Sequence, residues 1–306
     1  MERARGQKTV LSAARVAALR PALDALLSNR DDALRLAADP LQAPHRYRDP
    51  ADQEIAALFA AQLAYGRVSA FMPIIDRILA LADAAGGPRA WIEGFSEADS
   101  AALAPLVYRW NRGPDFALMA RTLQQVIATR GSLGAVFVER VRRSHSDVGL
   151  GLTAGIAELR AAAEVAAGAP FASLPRGFKT MLSSPSGGSA CKRWNMLLRW
   201  MARDEGPDLG LWSIPTSKLI LPLDTHTLQL SQLLGLTRRR DGSWRTAAEI
   251  TRNLRRIDPD DPVRYDFALA HLGISGGCQK ARVAEICDPC PMVGVCRVGG
   301  RREESP

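Results

Sequence analysis

The apolar residues of the chain recur with the 3.6-residue period of an α-helix along most of its length. The pattern is clear in "DPADQEIAALFAAQL", "PDFALMARTLQQVIATRG", "GLTAGIAELRAAAEVAAG" and "CKRWNMLLRWMARD". Alternation of apolar and polar residues, which would indicate strands, never extends beyond a few positions. The sequence also shows no internal repeat. We therefore predict an all-α fold.

Several of these helices carry sequence signals for their first residue. Asp49 is a predicted N-cap because Pro50, which is favoured at the first helical position, follows it directly. Thr246 and Glu249 have the spacing of a capping box and predict the start of a later helix. The predicted helices are therefore bounded by local chemistry as well as by periodicity.

The length of 306 residues and the apolar fraction of 47% are sufficient for two helical domains with cores of their own. We predict one domain from residues 1–48 together with 213–300, which joins the N-terminal helices to a cysteine-rich loop. Residues 49–212 would form the central domain. The polar tail at 301–306 is predicted to be disordered.

The positive charge of the chain indicates which class of partner it binds. A net charge of +8 and an isoelectric point near 9.6 favour binding to polyanions, although arginine-rich solvated helix faces would give the same balance. No apolar run reaches the roughly 20 residues of a membrane helix. Five cysteines are too few for the disulfide framework of a secreted protein. We expect a cytoplasmic protein that does not enter a membrane.

Four of the five cysteines lie in one stretch near the C-terminus. They follow the spacing C-x8-C-x2-C-x5-C and are Cys278, Cys287, Cys290 and Cys296. Thiolates are soft ligands for zinc or for iron–sulfur clusters, and a compact set of four favours a [4Fe–4S] cluster over zinc. Free thiols are the remaining alternative. A cluster would also fix the loop that carries Lys280 and Arg282.

A second string strengthens the interpretation of the cysteines. In "PLDTHTLQLSQLLGL", Asp224 follows a short apolar stretch and opens an amphipathic helix. Together with the later cysteines, this string resembles the helix-hairpin-helix DNA glycosylases of the endonuclease III superfamily. The chain is similar above all to an uncharacterised bacterial branch that shares the string "CKR…LRWM". The resemblance implies two helical domains with a DNA-binding cleft between them, a helix-hairpin-helix motif and a C-terminal [4Fe–4S] loop.

The resemblance also implies roles for individual residues. "GSACKRWNMLL" would place Lys192 at the catalytic lysine, and Asp224 would be the catalytic carboxylate. "FAAQLAYG" would place Gln62 at the glutamine that probes the opened base stack. Backbone contacts with double-stranded DNA would come from Gly188, Arg193, Lys280 and Arg282. Tyr65, Trp194 and Trp212 are candidates for stacking on a base that has been flipped out of the duplex.

Three departures from the superfamily pattern stand out. The turn before Lys192 reads "GGSA", so the usual second glycine is replaced. Lys192 and Asp224 are separated by an unusually long segment that includes residues 203–218. The first cysteine spacing is wider than the common one. The first departure affects the predicted backbone contacts with DNA. The second affects the predicted choice of substrate, and the third affects the shape of the cysteine-rich loop.

The predicted function is that of a DNA glycosylase that excises a damaged or modified base. Lys192 would add abasic-site lyase activity through a Schiff base. Two other hypotheses stay open, namely a non-catalytic nucleic-acid-binding protein on the same scaffold and a zinc-stapled adaptor without a DNA role. A DNA enzyme of this kind would be cytoplasmic and associated with the nucleoid. The sequence gives no indication of the oligomeric state.

Overall fold

The structure is a computed structural model, and it describes residues 9–28, 32–144, 147–274 and 277–299. It is mostly helical, which confirms the prediction of an all-α fold at that level. The tail predicted to be disordered, 301–306, lies outside the described residues. No helix in the described part of the chain is long and apolar enough to cross a membrane.

The described residues form α-helices, short 3₁₀ helices and one short antiparallel hairpin. In chain order the helices are α1 Ala13–Ser28, α2 Asp32–Ala37, α3 Pro50–Leu63, α4 Val68–Ala84, α5 Pro88–Glu93, α6 Glu97–Leu103, α7 Gly113–Arg130, α8 Leu133–Arg143, α9 Gly149–Ala167, α10 Arg176–Met181, α11 Lys192–Ala202, α12 Thr225–Leu233, α13 Trp244–Ile257, α14 Asp266–Ile274 and α15 Ala284–Cys287. The hairpin pairs β1 Val107–Tyr108 with β2 Asn111–Arg112.

The chain divides into two compact units, which are described separately. The first, here called the terminal unit, consists of Met1–Asp32, Gly188–Asn195 and Leu219–Pro306. The second, the central unit, consists of Ala33–Gly187 and Met196–Lys218. The terminal unit thus includes the first residues of α11. The domain boundaries drawn from the sequence stay predictions.

In the central unit, α7 packs against α8 and α9, while α3 packs against α4 and α5. Phe59, Phe116 and Phe137 are fully buried in this core. The approach of α9 to α8 depends on Gly155, because a Cβ atom there would lie 2.3 Å from the Phe137 ring. The periodic apolar residues seen in the sequence therefore form a packed helical core.

In the terminal unit, α12 packs against α14, and α1 packs against α13. Asn253 of α13, which is 1% exposed, joins the segment before α1 to this helix. Its Oδ1 accepts a hydrogen bond from the Leu11 amide, and its Nδ2 donates to the carbonyls of Thr9 and Leu236. One buried amide therefore fixes the path of the chain into α1 and out of α12.

Two predicted helix starts have different outcomes. Asp49 is the N-cap of α3 and accepts from the Ala51 amide, as predicted. The N-cap of α13 is Ser243 and not Thr246, so the predicted capping box is wrong by one turn. The Thr246 amide donates to Ser243, and the Glu249 carboxylate accepts from Thr237 instead of capping the helix.

Glu54 is a buried carboxylate that joins three parts of the central unit. It is 6% exposed and accepts hydrogen bonds from the amides of Leu133 and Gly134, at 2.8 and 2.7 Å, and from Trp212 Nε1 at 2.8 Å. Burial raises the pKa of Glu54, and these hydrogen bonds act in the opposite direction. The carboxylate therefore holds the N-terminus of α8 and the Trp212 indole together.

The substitution Glu54→Gln tests this contact. The amide keeps the size of the side chain but has only one acceptor oxygen, so one or more buried N–H groups lose their partner. We expect the free energy of unfolding to fall by about 1–3 kcal/mol in urea titrations. Glu97→Gln is the control, because that side chain is 85% exposed and pairs with Arg121 at the surface. Equal stability of the two variants would contradict the assigned role.

Candidate functional site

An amine and a carboxylate meet at the starts of two helices in the terminal unit. Lys192 is the first residue of α11 and Asp224 is the N-cap of α12. The distance between Lys192 Nζ and Asp224 Oδ2 is 3.2 Å, and the two side chains are 31% and 21% exposed. The structure therefore brings together the two residues predicted to be catalytic, with both still open to solvent.

The helix geometry sets the orientation of Asp224. Its Oδ1 accepts from the Thr227 amide at 2.8 Å, so Oδ2 is directed towards Lys192. Burial acts to raise the pKa of Asp224, but the Lys192 charge and the hydrogen bonds of Thr227 outweigh it and hold the pKa below its usual value. The carboxylate is therefore ionised at neutral pH and serves as helix cap and ion-pair partner together.

A constrained turn positions Lys192. Gly188 has a φ of 80°, and its carbonyl accepts from the Trp244 amide at 3.0 Å. Cys191, directly before Lys192, is in the left-handed region at a φ of 49°, where a residue with a side chain is strained. Asn195 closes the turn, since its amide and its side chain donate to the carbonyls of Cys191 and Ala190. The start of α11 is thus fixed on both sides.

A second lysine reaches the first turn of α12. Lys280 Nζ lies 2.9 Å from Nδ1 of His226, two residues after Asp224. Gly273 of α14 faces the same histidine, where a Cβ atom would approach that of His226 to 3.1 Å. The Asp-Thr-His string therefore holds two lysines, one through a carboxylate and one through an imidazole.

The substitution His226→Ala is expected to release the Lys280 amine. Its rate of acylation at pH 8, measured by mass spectrometry, should rise by about fivefold, the factor that corresponds to one hydrogen bond of roughly 1 kcal/mol. Lys179 provides a reference in the same sample, because its amine donates to the Ala172 carbonyl within the central unit. An unchanged ratio of Lys280 to Lys179 labelling would contradict the contact.

The other predicted DNA contacts of the terminal unit have varied surroundings. Arg282 donates to Asp288 at 2.6 Å, so it pairs within the cysteine-rich loop. Arg193 is half-exposed and Gly188 is exposed at the turn before α11. A role in DNA binding stays a prediction for these residues and for Lys280.

The four clustered cysteines line one cavity of about 40 Å³ in the terminal unit. Its other walls are largely apolar and include Leu230, Leu269 and Met292. Burial raises the pKa of the Cys290 thiol, and the charges of the other three cysteines act in the same direction. Within the described residues, however, no group of three or more His, Cys, Asp or Glu side chains is arranged to hold a metal ion.

Three residues predicted to contact DNA or a flipped base lie in cores. Gln62, near the end of α3, is fully buried, and Trp194 of α11 is 1% exposed. Trp212 is 5% exposed, stacks with Phe137 at 5.9 Å and donates to Glu54. The three side chains pack in protein cores. Their predicted contacts with DNA or with a flipped base stay predictions.

Tyr65, the fourth such residue, belongs to an aromatic cluster of the central unit. Its ring stacks on Trp110, with centroids 4.8 Å apart and an interplanar angle of 10°. Trp110 is 50% exposed at the tip of the β1–β2 hairpin. The Arg109 guanidinium lies 5.8 Å from the Tyr65 ring and 5.4 Å from that of Trp110. Arg109 and Trp110 are not among the residues predicted from the sequence, although "VYRWNR" mixes aromatic and basic residues between two helices.

The structure thus defines a helical protein with an amine–carboxylate pair and with four cysteines that line one cavity. Residues 39–275 match a family that is described as "Protein of unknown function (DUF2400)". Because the match covers well over half of the chain, the protein belongs to this family. A search of curated proteins and of solved structures finds no match.

The family match contradicts the predicted membership of the helix-hairpin-helix DNA glycosylase superfamily. The family that the chain matches is DUF2400, and no finding supports membership of the helix-hairpin-helix DNA glycosylase superfamily. The error arose because short strings around Lys192, Asp224 and the cysteines were read as marks of that superfamily. Any function must therefore be argued from the residues themselves.

Proposed function

We propose that the protein is a DNA glycosylase that removes a damaged or modified base, with abasic-site lyase activity through Lys192. The proposal rests on one observation, which is that Lys192 Nζ lies 3.2 Å from Asp224 Oδ2 at a position accessible to solvent. An amine beside a carboxylate can form a covalent bond to a sugar carbon and stabilise the positive charge on that carbon.

The first step separates the base from the sugar. In the resting pair Lys192 is an ammonium ion and Asp224 a carboxylate. The ammonium gives its proton to the departing base, which takes the electron pair of the C1′–N bond. Asp224 stabilises the oxocarbenium ion left at C1′, and the now neutral Lys192 amine bonds to that carbon. The nitrogen of the new C–N bond then loses a proton, which passes to Asp224.

The second step opens the sugar and breaks the DNA strand. Asp224 returns its proton to the ring oxygen as the C1′–O4′ bond breaks, which leaves a protonated Schiff base between C1′ and Lys192. Asp224, again a carboxylate, then takes a proton from C2′, and the electron pair of that C–H bond forms the C2′–C3′ double bond as the C3′–O bond breaks. The 3′ phosphate leaves with the electrons of the C3′–O bond, and Asp224 then passes its proton to the solvent. Water finally hydrolyses the protonated Schiff base, which releases the sugar aldehyde and restores the Lys192 ammonium ion. The sequence of steps needs no oxidant or reductant.

Duplex DNA is the proposed partner on grounds of charge and aromatic chemistry. The net charge of +8 favours a polyanion. Gly188 and Arg193 at the start of α11 suit contact with backbone phosphate. In the central unit, the half-exposed Trp110 ring beside Arg109 offers a surface on which a base can stack. Association with the nucleoid is part of the same proposal.

We also propose that the four cysteines hold a [4Fe–4S] cluster, with zinc as the alternative. The support is chemical, since four thiols and an apolar shell line one cavity. The group would stabilise the loop that carries Lys280 and Arg282 and would take no part in the base-excision steps. The fold of the loop, and not the reaction at Lys192, would depend on it.

Incision of a duplex with one abasic site tests the function. Wild-type protein should nick the strand at that site over several turnovers, and a screen of duplexes with modified bases should then identify the excised base. The alternative is a nucleic-acid-binding protein without activity. Binding of the abasic duplex without any incision would favour that alternative and contradict the lyase proposal.

A further inference from the structure

A second and larger cavity opens on the terminal unit, with a volume of about 500 Å³. Its walls come from residues 9–12 and Arg15 at the start of α1, from Gly235 and Arg238 after α12, and from residues 294–297 at the end of the cysteine-rich loop. Cys296 is shared with the smaller cavity. Lys192 and Asp224 are not among its residues, so the cavity is separate from the proposed catalytic pair.

The charged residues that line this cavity are all arginines. They are Arg15, which is half-buried, and Arg238 and Arg297, which are exposed. No acidic residue is found among the described residues of the lining. Like charges that line one cavity repel each other, and an anion bound there would offset that repulsion.

The walls of the cavity are fixed to one another before any ligand binds. Nη2 of Arg15 donates to the carbonyl of Leu234 at 2.8 Å and also to that of Val295. The Arg297 amide donates to the Leu233 carbonyl at 3.0 Å. Three separate segments are therefore held in one arrangement, and binding would require little reorganisation of the backbone.

Two further details suit an anion. Gly235 has a φ of 77°. The Arg297 guanidinium lies beside this glycine, since a Cβ atom added to Gly235 would be 3.5 Å from Arg297 Nη2. Ser12 accepts from the Arg15 amide at 3.1 Å at the first turn of α1, so the positive end of that helix dipole adjoins the cavity.

We propose that this cavity is a binding site for phosphate groups, with Arg238 and Arg297 as the residues that grip the oxygens. Guanidinium groups match phosphate oxygens in pairs of hydrogen bonds. The volume lies within the range of small-molecule sites, and the open mouth also admits the backbone of a nucleic acid. Arg15 acts as a positioning residue, because its contacts hold the walls together.

The test is equilibrium binding by the full-length protein to two probes, pyrophosphate and a labelled 20-base-pair duplex, at constant ionic strength. The double variant Arg238→Gln/Arg297→Gln should lower the affinity for the recognised probe by tenfold or more. Arg252→Gln/Arg256→Gln is the matched control, because it removes the same charge from exposed positions of α13 in the same unit. This control should change affinity by less than about twofold.

The probe whose affinity falls in the double variant identifies the source of the phosphate group. Weaker pyrophosphate binding alone indicates a small phosphate ester, and weaker duplex binding alone indicates nucleic-acid backbone. Weakening of both, with competition between the probes, indicates a site that accepts either. Equal losses in the two double variants, or binding of neither probe by the wild type, would overturn the proposal. None of these outcomes depends on whether the protein cleaves DNA.

Discussion

Replacement of Lys192 by glutamine is expected to abolish incision of an abasic duplex and to remove any adduct trapped by borohydride. Glutamine keeps the length of much of the side chain, but its amide nitrogen has no basic lone pair and cannot form a Schiff base. Asp224→Asn should retain the helix cap while it loses the charge that stabilises the developing cation. We expect this variant to slow incision by about 10²–10⁴-fold.

The matched control for Lys192→Gln is Lys280→Gln. Both amines lie beside the first turn of α12, but Lys192 faces the Asp224 carboxylate and Lys280 faces the His226 ring. The control removes the same charge and should leave adduct formation intact. If both variants trap as well as wild type, another residue is the nucleophile. If both lose trapping equally, the effect is one of charge or DNA binding and not of covalent chemistry.

We expect the cysteine-rich loop to bind a metal group that stabilises the fold. Purified protein should show a broad absorbance near 400 nm with iron and sulfide in equal amounts. Cys287→Ala should lose that absorbance. Because binding of a structural metal group contributes directly to folding, the same variant should lower stability by roughly 5 kcal/mol or more and the melting temperature by about 10 °C or more.

Cys191→Ala is the control for the loop cysteines. Cys191 is buried before α11 and does not line the cavity that the other four share. It should keep the absorbance of wild type, whatever its effect on local packing. Colourless wild-type protein that contains one zinc ion would favour the zinc alternative. Protein free of both metals, with four reactive thiols, would contradict either metal site.

The sequence predicted those features that depend on local chemistry. Helical periodicity gave the all-α class, and Asp49 and Asp224 were recognisable as N-caps because a capping carboxylate acts within three residues. The start of α13 was misplaced because Ser243 and Thr246 both suit a cap. In the structure Ser243 is the cap, and Asp241 accepts hydrogen bonds from both side chains.

The sequence could not predict which residues meet across distant parts of the chain. Nothing in the neighbourhood of Lys280 indicates that its amine lies on His226, 54 residues away. Nothing in the sequence near Trp212 indicates that its indole contacts Glu54 and Phe137. Arg15, Arg238 and Arg297 form a cavity only because the ends of α1, α12 and the cysteine-rich loop converge. Such contacts are set by tertiary packing.

The proposed reaction requires Lys192 to form a covalent bond with the sugar of an abasic site. The most direct measurement is borohydride trapping of wild-type protein on an abasic duplex, followed by digestion and mass spectrometry of the cross-linked peptide. We expect a single adduct on Lys192. An adduct on a different lysine, or none at all while the protein still binds the duplex, would contradict it.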